Sequence, residues 1–252
     1  MSRMLSILFA IALASPVAAQ QPPPTSADTS RALQHYQNGW RNLGSELFDQ
    51  AVSEFRKAIE IDPNFKLAYY GLGRAHMATK AFPDAVRDYE QCRAMYQRQL
   101  SDTVQNQFEA DRLRQDDLRL ISKALQQLGV NRNAAISQNG QVRALQIEQQ
   151  RLETQQTITS NRTLSDPVPA FVSLALGSAY FRSGRIADAE REYKAAAVAD
   201  PKSGEAHSNL AVVYLETGRI EEADNEVKAA EKTGFRVNSA LKDDIKKKRQ
   251  KS

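Results

Sequence analysis

The sequence predicts an all-α protein, a helical-repeat solenoid of about four helix pairs interrupted by a long helical hairpin. Three observations support this prediction. Glycine and proline are sparse, at 11 and 9 of 252 residues, and residues that favour helices dominate. One spacing of small and aromatic residues occurs four times along the chain. Residues 97–165, between the second and third occurrences, lack that spacing.

The repeated spacing places small residues where two helices would approach each other. Each stretch has a small residue, a second one twelve positions later, an aromatic or aliphatic residue four further on, and a small residue three after that. The second small residues recur at a step of 34 residues, from Ala51 to Ala85 and from Ala189 to Ala223. Small residues let antiparallel helices pack closely, and the larger residue fills the gap to the next unit. The four sets are Gly39, Ala51, Phe55 and Ala58; Gly73, Ala85, Tyr89 and Cys92; Gly177, Ala189, Tyr193 and Ala196; and Ala211, Ala223, Val227 and Ala230.

At these residues the chain resembles the tetratricopeptide repeat (TPR) family, in a form that bacteria export. The other stretches depart from the family pattern, because Asn42 and His76 stand where the family has Tyr, and Phe235 stands where it has Pro. The resemblance implies a TPR-type solenoid that binds proteins or peptides and catalyses no reaction. The third stretch matches the pattern fully through Leu176, Gly177, Tyr180, Ala189, Tyr193, Ala196 and Pro201.

The units are expected in two pairs, with a helix that closes the array. Units 1 and 2 are assigned to residues 30–96, and units 3 and 4 to residues 166–235. Residues 236–252 are predicted to form a capping helix with a basic tail, in which Leu241 and Ile245 cover the last unit. The two pairs can stack on each other only if the intervening segment lets them meet.

The intervening residues 97–165 do not continue the repeat. In the continued register, large polar residues would occupy positions where backbones touch, so hidden repeats are rejected; these residues are Gln107, Arg119, Gln141 and Glu153. A helical hairpin fits better. Its outgoing helix carries an apolar seam of Leu118, Ile121, Leu125 and Leu128. Turn residues follow at Gly129, Asn139 and Gly140, and the return seam has Val142, Leu145, Gln149 and Leu152.

The hairpin seam is rich in polar residues, so an isolated arm would be only marginally stable. We therefore expect residues 97–165 either to dock along the repeats or to pair with another chain, which would make an oligomer. A flexible spacer with a helical bias is the remaining alternative.

The N-terminus has the features of a secretory signal peptide at residues 1–19. Arg3 supplies the positive charge, Leu5–Ala14 is an apolar run too short for a stable membrane anchor, and small residues allow cleavage after Ala19. An uncleaved short anchor is the alternative. Residues 20–29 are predicted to be a disordered proline-rich linker. The sequence thus predicts a periplasmic or secreted protein without a membrane span after cleavage.

Composition and motifs argue against a catalytic or nucleic-acid-binding function. The net charge is +4, but 34 basic and 30 acidic residues are interleaved, whereas nucleic-acid binders usually cluster positive charge. His35, His76 and His207 lack metal-binding spacing, and no phosphate-binding or nucleophile motif occurs. The single cysteine, Cys92, occupies a small-residue position of the repeat and is expected in the core. We therefore expect no enzyme activity, metal or cofactor.

Partner binding is expected on the concave face, where members of this family usually bind peptides. The family's arrangement for holding a terminal carboxylate is not carried over, because Tyr36, Trp40 and Gly71 stand where it needs Lys and Asn. The same aromatic residues could instead pack against the inserted hairpin, and both possibilities are open at this point. The candidate partner-binding residues are Tyr36, Trp40, Tyr70, Arg74, Phe171, Phe181 and Arg182.

Two functions are therefore compared with the structure. The first is an exported adaptor or scaffold that holds a protein or peptide partner on the concave face. The second is a structural subunit of an envelope assembly that associates through the helical arm at residues 97–165.

Overall fold

The computed structural model of the chain describes residues 24–103, 107–129, 140–154 and 168–250. Within these ranges the protein is entirely helical, which confirms the predicted all-α class. The helices are α1 (Ser26–Gly44), α2 (Phe48–Ile61), α3 (Lys66–Ala78), α4 (Phe82–Thr103), α5 (Gln107–Gln127), α6 (Gly140–Thr154), α7 (Ala170–Arg182), α8 (Ile186–Ala199), α9 (Gly204–Glu216), α10 (Ile220–Lys232) and α11 (Ser239–Arg249).

Four helix pairs form the repeat units: α1 with α2, α3 with α4, α7 with α8, and α9 with α10. Glycines in the first helices make room for the aromatic rings of the second helices. A Cβ on Gly39 would lie 2.6 Å from the Phe55 ring, and one on Gly177 would lie 2.7 Å from the Tyr193 ring. Phe55 is fully buried and also packs against Gly71 of the next unit. The predicted role of the small residues is therefore confirmed in units 1 and 3, and that of the aromatic residue at the junction of units 1 and 2.

The turn inside each unit has one residue in the left-handed backbone region. That residue is glycine in units 3 and 4, at Gly184 with φ +75° and Gly218 with φ +76°. Units 1 and 2 place Glu46 at φ 59° and Lys80 at φ 61°. A residue with a Cβ pays roughly 1–2 kcal/mol to adopt this conformation, so the first two units carry strain that the last two avoid.

We expect Lys80→Gly to stabilise the protein by about 1 kcal/mol, because glycine adopts the left-handed conformation without a steric penalty. The reciprocal change, Gly184→Lys, is expected to destabilise it by a similar amount. Chemical denaturation measures both effects. Lys80→Ala is the control, since it removes the charged side chain but keeps the strained backbone. A stability gain in Lys80→Ala equal to that of Lys80→Gly would contradict the explanation.

Units 2 and 3 stack directly on each other although 69 residues, 97–165, separate them in sequence. Helix α4 packs against α7. The rings of Tyr70 and Phe171 meet edge to face, with centroids 4.8 Å apart. The Tyr180 hydroxyl donates a 2.5 Å hydrogen bond to Glu90. The four units therefore form one continuous solenoid, and the insertion branches from its side.

The insertion folds as the expected pair of helices and docks on the repeats. Helix α5 packs against α6 and α1, and α6 packs against α7. Ile121 and Leu125 of α5 and Leu145 and Leu152 of α6 are buried, so the predicted seam forms the inner side of the hairpin. Gln149, the polar residue of the seam, is 7% exposed. Docking along the repeats is thus the outcome seen in the described residues.

A buried ion pair joins the hairpin to the solenoid. Lys66 at the start of α3 lies 2.8 Å from Asp117 of α5, and both side chains are about one-tenth exposed. The Lys66 ammonium also lies over the Tyr96 ring, 4.6 Å from its centroid. Burial raises the pKa of the Asp117 carboxyl, and the Lys66 charge acts in the opposite direction. The removal of both charges from water offsets most of their attraction, so a buried pair adds little net stability. Its main effect is to fix the position of the hairpin on the solenoid.

The solenoid begins earlier than the sequence predicts. Helix α1 starts at Ser26, so it takes in the last residues of the segment 20–29 that was expected to be a linker. The cause is a capping box at Thr25 and Asp28, in which each side chain accepts a hydrogen bond from the other residue's backbone N–H. The predicted signal peptide at residues 1–19 lies outside the described residues.

At the other end, α11 covers the last unit as predicted. Ile245 is 2% exposed and Leu241 is partly buried. Arg249 of the basic segment pairs with Asp224 of α10 at 2.8 Å, which holds the end of α11 against the solenoid. No helix in the described ranges combines the length and the hydropathy that crossing a membrane requires.

Candidate functional site

An open groove of about 440 Å³ lies against the first helices of units 1 to 3 and the start of α9. It has an apolar floor and a mixed rim. The lining residues are Leu43, Gly44, Glu46, Phe48, Tyr70, Arg74, Met77, Ala78, Tyr89, Phe171, Leu174, Ala175, Ser178 and Glu205.

Helical periodicity explains how α3 and α7 supply most of the lining. Tyr70, Arg74 and Met77 are spaced i, i+4 and i+7 on α3, so they share one face of the helix. On α7, Phe171 and Leu174 belong to a face of the same kind, which continues to Ser178. Because units 2 and 3 stack directly, these two faces lie side by side and form one surface.

The floor of the groove is aromatic and rigidly packed. Tyr70 lies between Tyr89, at a centroid distance of 5.7 Å, and Phe171, at 4.8 Å. Burial raises the pKa of the Tyr70 phenol, while the Arg74 charge lowers it. The floor therefore stays neutral at physiological pH, and its rings are closely packed, with Tyr70 and Phe171 only 3% and 2% exposed.

Two opposite charges face the groove from different units. Arg74 of α3 forms no ion pair within the described part of the chain, and its buried Nε has no hydrogen-bond acceptor there. Glu205 of α9 likewise forms no ion pair among the described residues. Burial raises the pKa of the Glu205 carboxyl, and the charges of Arg143 and Arg74 act in the opposite direction. A third charged residue, Glu46, is exposed at the rim.

Helix α6 of the hairpin closes one side of the groove. Phe171, Leu174 and Glu205 line both the open groove and a small gap of about 20 Å³ against α6, to which Arg143 and Ile147 contribute. The Arg143 guanidinium lies over the Phe235 ring, 5.6 Å from its centroid. The hairpin therefore forms a wall of the groove while it leaves the face of α3 open.

The structure separates the seven candidate residues into three groups. Tyr70, Arg74 and Phe171 line the groove. Tyr36 and Trp40 are 1% and 2% exposed. They pack in an aromatic cluster in which the Trp40 ring lies 5.8 Å from Phe55 and 6.3 Å from Tyr70, so they support the floor from below.

The last two candidates lie away from the groove. Phe181 is partly buried at the end of α7. The exposed Arg182 stacks over the Phe82 ring of α4, 5.0 Å from its centroid. Arg182 therefore contributes to the contact between units 2 and 3.

Sequence reasoning missed Glu205 and Leu174 as lining residues. A signal for Glu205 was present, because it follows the candidate Phe171 by one repeat step of 34 residues. Leu174 lies one turn beyond Phe171 on the same helix.

The histidines are structural rather than metal-binding groups. Each pairs with a carboxylate on the second helix of its own unit: His35 with Glu54 at 2.8 Å, His76 with Asp88 at 2.6 Å, and His207 with Glu226 at 2.7 Å. In the described ranges no cluster of His, Cys, Asp and Glu could hold a metal ion.

Cys92 is the remaining reactive residue type. Its side chain is fully buried, and burial raises the pKa of the thiol. The residue fills a small-residue position of unit 2, as predicted.

A family comparison now decides what the solenoid is. The family model described as the tetratricopeptide repeat matches residues 36–94 and 174–229, which are units 1 and 2 and units 3 and 4. These two regions of the chain are tetratricopeptide repeats. The match is interrupted between residues 94 and 174, where the hairpin is inserted, so the hairpin lies outside the matched repeats. The repeats give the chain the architecture of a protein–protein interaction scaffold.

Several solved TPR structures are similar to the chain. PilW, a type IV pilus biogenesis factor, is 14% identical, with a TM-score of 0.38 over 83% of this chain and 80% of PilW. Pseudomonas aeruginosa PilF is 16% identical, with a TM-score of 0.36 over 85% and 81%. YrrB, described as a TPR protein with an unusual peptide-binding site, is 17% identical, with a TM-score of 0.26 over 78% and 84%. A search of curated proteins finds no match.

Proposed function

We propose that this TPR protein is an exported adaptor that binds an extended segment of a partner protein in the open groove. The observation that carries the proposal is the groove itself. The groove has a volume of about 440 Å³ and is lined by several units. Its aromatic floor lies beside the Arg74 guanidinium, which has no ion-pair partner among the described residues. Aromatic and arginine side chains in pockets contribute most of the binding energy at protein interfaces.

The shape of the groove favours an extended segment over a folded domain. The lining runs from α1 through α3 and α7 to α9, and packed helices lie roughly 8–10 Å apart. Three such steps would accommodate roughly 8 residues at about 3.3 Å per extended residue. The hairpin wall restricts access on one side, which leaves a channel rather than a flat surface.

Export to the periplasm or the exterior is part of the proposal and rests on the sequence. The run Leu5–Ala14 after Arg3, followed by small residues up to Ala19, has the organisation of a signal peptide. A measurement of the N-terminus of the purified protein tests this part separately. Cleavage after Ala19 supports it, and an intact Met1 on protein recovered from the cytoplasmic fraction contradicts it.

Site-specific photocrosslinking tests the groove. A benzophenone amino acid at Met77, on the groove face of α3, is expected to capture a partner. The same probe at Val198, which is 77% exposed on α8, is the control. The affinity of the captured partner is then compared between Ala78→Trp, which fills the rim, and Ala195→Trp on exposed α8 surface. A loss of affinity in Ala78→Trp but not in Ala195→Trp supports the groove as the binding site. Equal capture at Met77 and Val198, or equal affinity of the two Trp variants, contradicts it.

The alternative function, assembly through the arm, makes a different prediction. The seam residues Ile121, Leu125 and Leu145 are already buried inside this chain, so they offer no apolar surface to a second copy. We expect light scattering on the purified protein at micromolar concentration to give the mass of one chain. A concentration-dependent dimer that dissociates in Leu145→Asp would support assembly through the arm instead.

A further inference from the structure

The charges inside the groove indicate what kind of segment it selects. Buried or half-buried arginines are normally satisfied by carboxylates, as Arg93 is by Glu192 between units 2 and 3. Arg74 departs from this rule, since it has no ion pair in the described part of the chain and its guanidinium interacts with the Tyr70 phenol instead. The Arg74 guanidinium lines the groove, where a ligand carboxylate could pair with it.

Glu205 presents the complementary case on α9. It is half-buried in the first turn of the helix, where the helix dipole favours a negative charge. Nothing in the described residues lies within ion-pair distance of its carboxylate, because the nearby Arg143 stacks on Phe235. The carboxylate therefore faces the groove as an acceptor for a basic group.

Apolar residues lie on α7, the helix between α3 and α9 in the stacking order. Phe171 and Leu174 line the groove but are 2% and 7% exposed, and Ala175 beside them is partly exposed. The groove thus presents a cation, an apolar patch and an anion from three successive units. Side chains on one face of an extended peptide recur every second residue, roughly 7 Å apart.

We propose that the groove selects an extended peptide with an acidic, an apolar and a basic side chain on the same face. The acidic side chain pairs with Arg74, the apolar one packs on the α7 face at Ala175, and the basic one pairs with Glu205. The corresponding sequence pattern has the three residues at alternate positions. This inference rests on the proposed function, because it names the ligand of the same groove.

A peptide selection tests the inference. The full chain is used to select from a phage library of random peptides, and clones that also bind Ala78→Trp are discarded. We expect the remaining peptides to carry an acidic and a basic residue that flank an apolar residue at alternate positions. Their affinities are then measured by fluorescence anisotropy with synthetic, labelled peptides.

Charge reversal gives the decisive comparison. We expect Arg74→Glu to weaken the selected peptide at least tenfold, and a peptide whose acidic residue is replaced by Lys to recover binding to this variant. We likewise expect Glu205→Lys to weaken the selected peptide, and a peptide whose basic residue is replaced by an acidic one to recover binding to this variant. Arg191→Glu, at a guanidinium on the exposed surface of α8, is the matched control and should leave binding unchanged. Thermal unfolding of each variant confirms that it is folded.

The outcomes separate this inference from the proposed function. Peptides that depend on the groove but lack the charge pattern, or that bind Arg74→Glu unchanged, overturn the inference and leave the groove as a binding site. A failure to select any groove-dependent peptide overturns both. The inference is supported if the selected peptides carry the pattern and if charge-reversed peptides recover binding to the charge-reversed variants.

Discussion

Phe55→Ala is expected to destabilise the protein by about 3–5 kcal/mol, the largest effect that we expect from a single side chain. The Phe55 ring is fully buried and fills the space left by Gly39 of its own unit and Gly71 of the next. It also meets the rings of Tyr36 and Trp40 edge to face. Gly39 and Gly71 have no side chains that could move into the cavity, so the packing lost with the ring is not recovered. Chemical denaturation followed by circular dichroism measures the change.

The control for Phe55→Ala is Val198→Ala, which removes an apolar side chain that is 77% exposed on α8. Its effect should stay within about 0.5 kcal/mol. The aromatic floor gives a second readout, because loss of Phe55 removes the support of Trp40, which packs against Tyr70. A cost below about 1 kcal/mol for Phe55→Ala would show that the junction between units 1 and 2 does not depend on this ring.

The repeat architecture could be predicted because its determinants are local. A small residue at Gly39 and an aromatic residue at Phe55 are sixteen positions apart, and the same relation holds for Gly177 and Tyr193. Each unit repeats this relation, so one correct alignment gives the helices, the turns and the packing of each pair. The turn glycines Gly184 and Gly218 add a signal that depends on backbone conformation alone.

The stacking of the second pair of units on the first could not be predicted in the same way. The contacts between Glu90 and Tyr180, and between Arg93 and Glu192, join residues about 90 to 100 positions apart. No local period connects these residues. The docking of the hairpin likewise involves residues that are distant in sequence, such as the ion pair of Lys66 and Asp117. The sequence predicts that the hairpin needs a surface to bury its seam, but it does not identify that surface.

The candidate site was predicted in part for a related reason. The inward positions of the first helices follow from helical periodicity, and Tyr70, Arg74 and Phe171 at these positions line the groove. Periodicity alone does not show which inward residues border the groove and which lie below it, since Tyr70 and Phe171 are nearly as buried as Tyr36 and Trp40. Tyr36 and Trp40 occupy inward positions of α1 and lie below the groove because Phe55 and Tyr70 pack around them.

Removal of the carboxylate of Asp117 is expected to destabilise the protein by about 3 kcal/mol, because it leaves the Lys66 ammonium in a buried site without its closest counter-charge. The replacement of both partners by apolar residues, Lys66→Met with Asp117→Leu, is expected to recover most of this loss, since it also removes the cost of desolvating the charges. The double-mutant cycle therefore gives the coupling between the solenoid and the hairpin. Asp244→Ala, which breaks an exposed pair with Lys247, is the control and should cost less than about 1 kcal/mol.

Hydrogen exchange shows where the loss from Asp117→Ala occurs. The substitution removes a charge at the contact between α5 and the start of α3, so we expect faster exchange in α5 and α6 while α8 and α10 keep their protection. Release of the hairpin would also remove the wall that α6 forms beside Phe171 and Leu174. A groove ligand should then bind Asp117→Ala with an altered affinity although every residue of the open groove is unchanged. If exchange in α5 matches that of the unmutated protein, the pair does not hold the hairpin, and the apolar contacts of α5 and α6 with the repeats must do so.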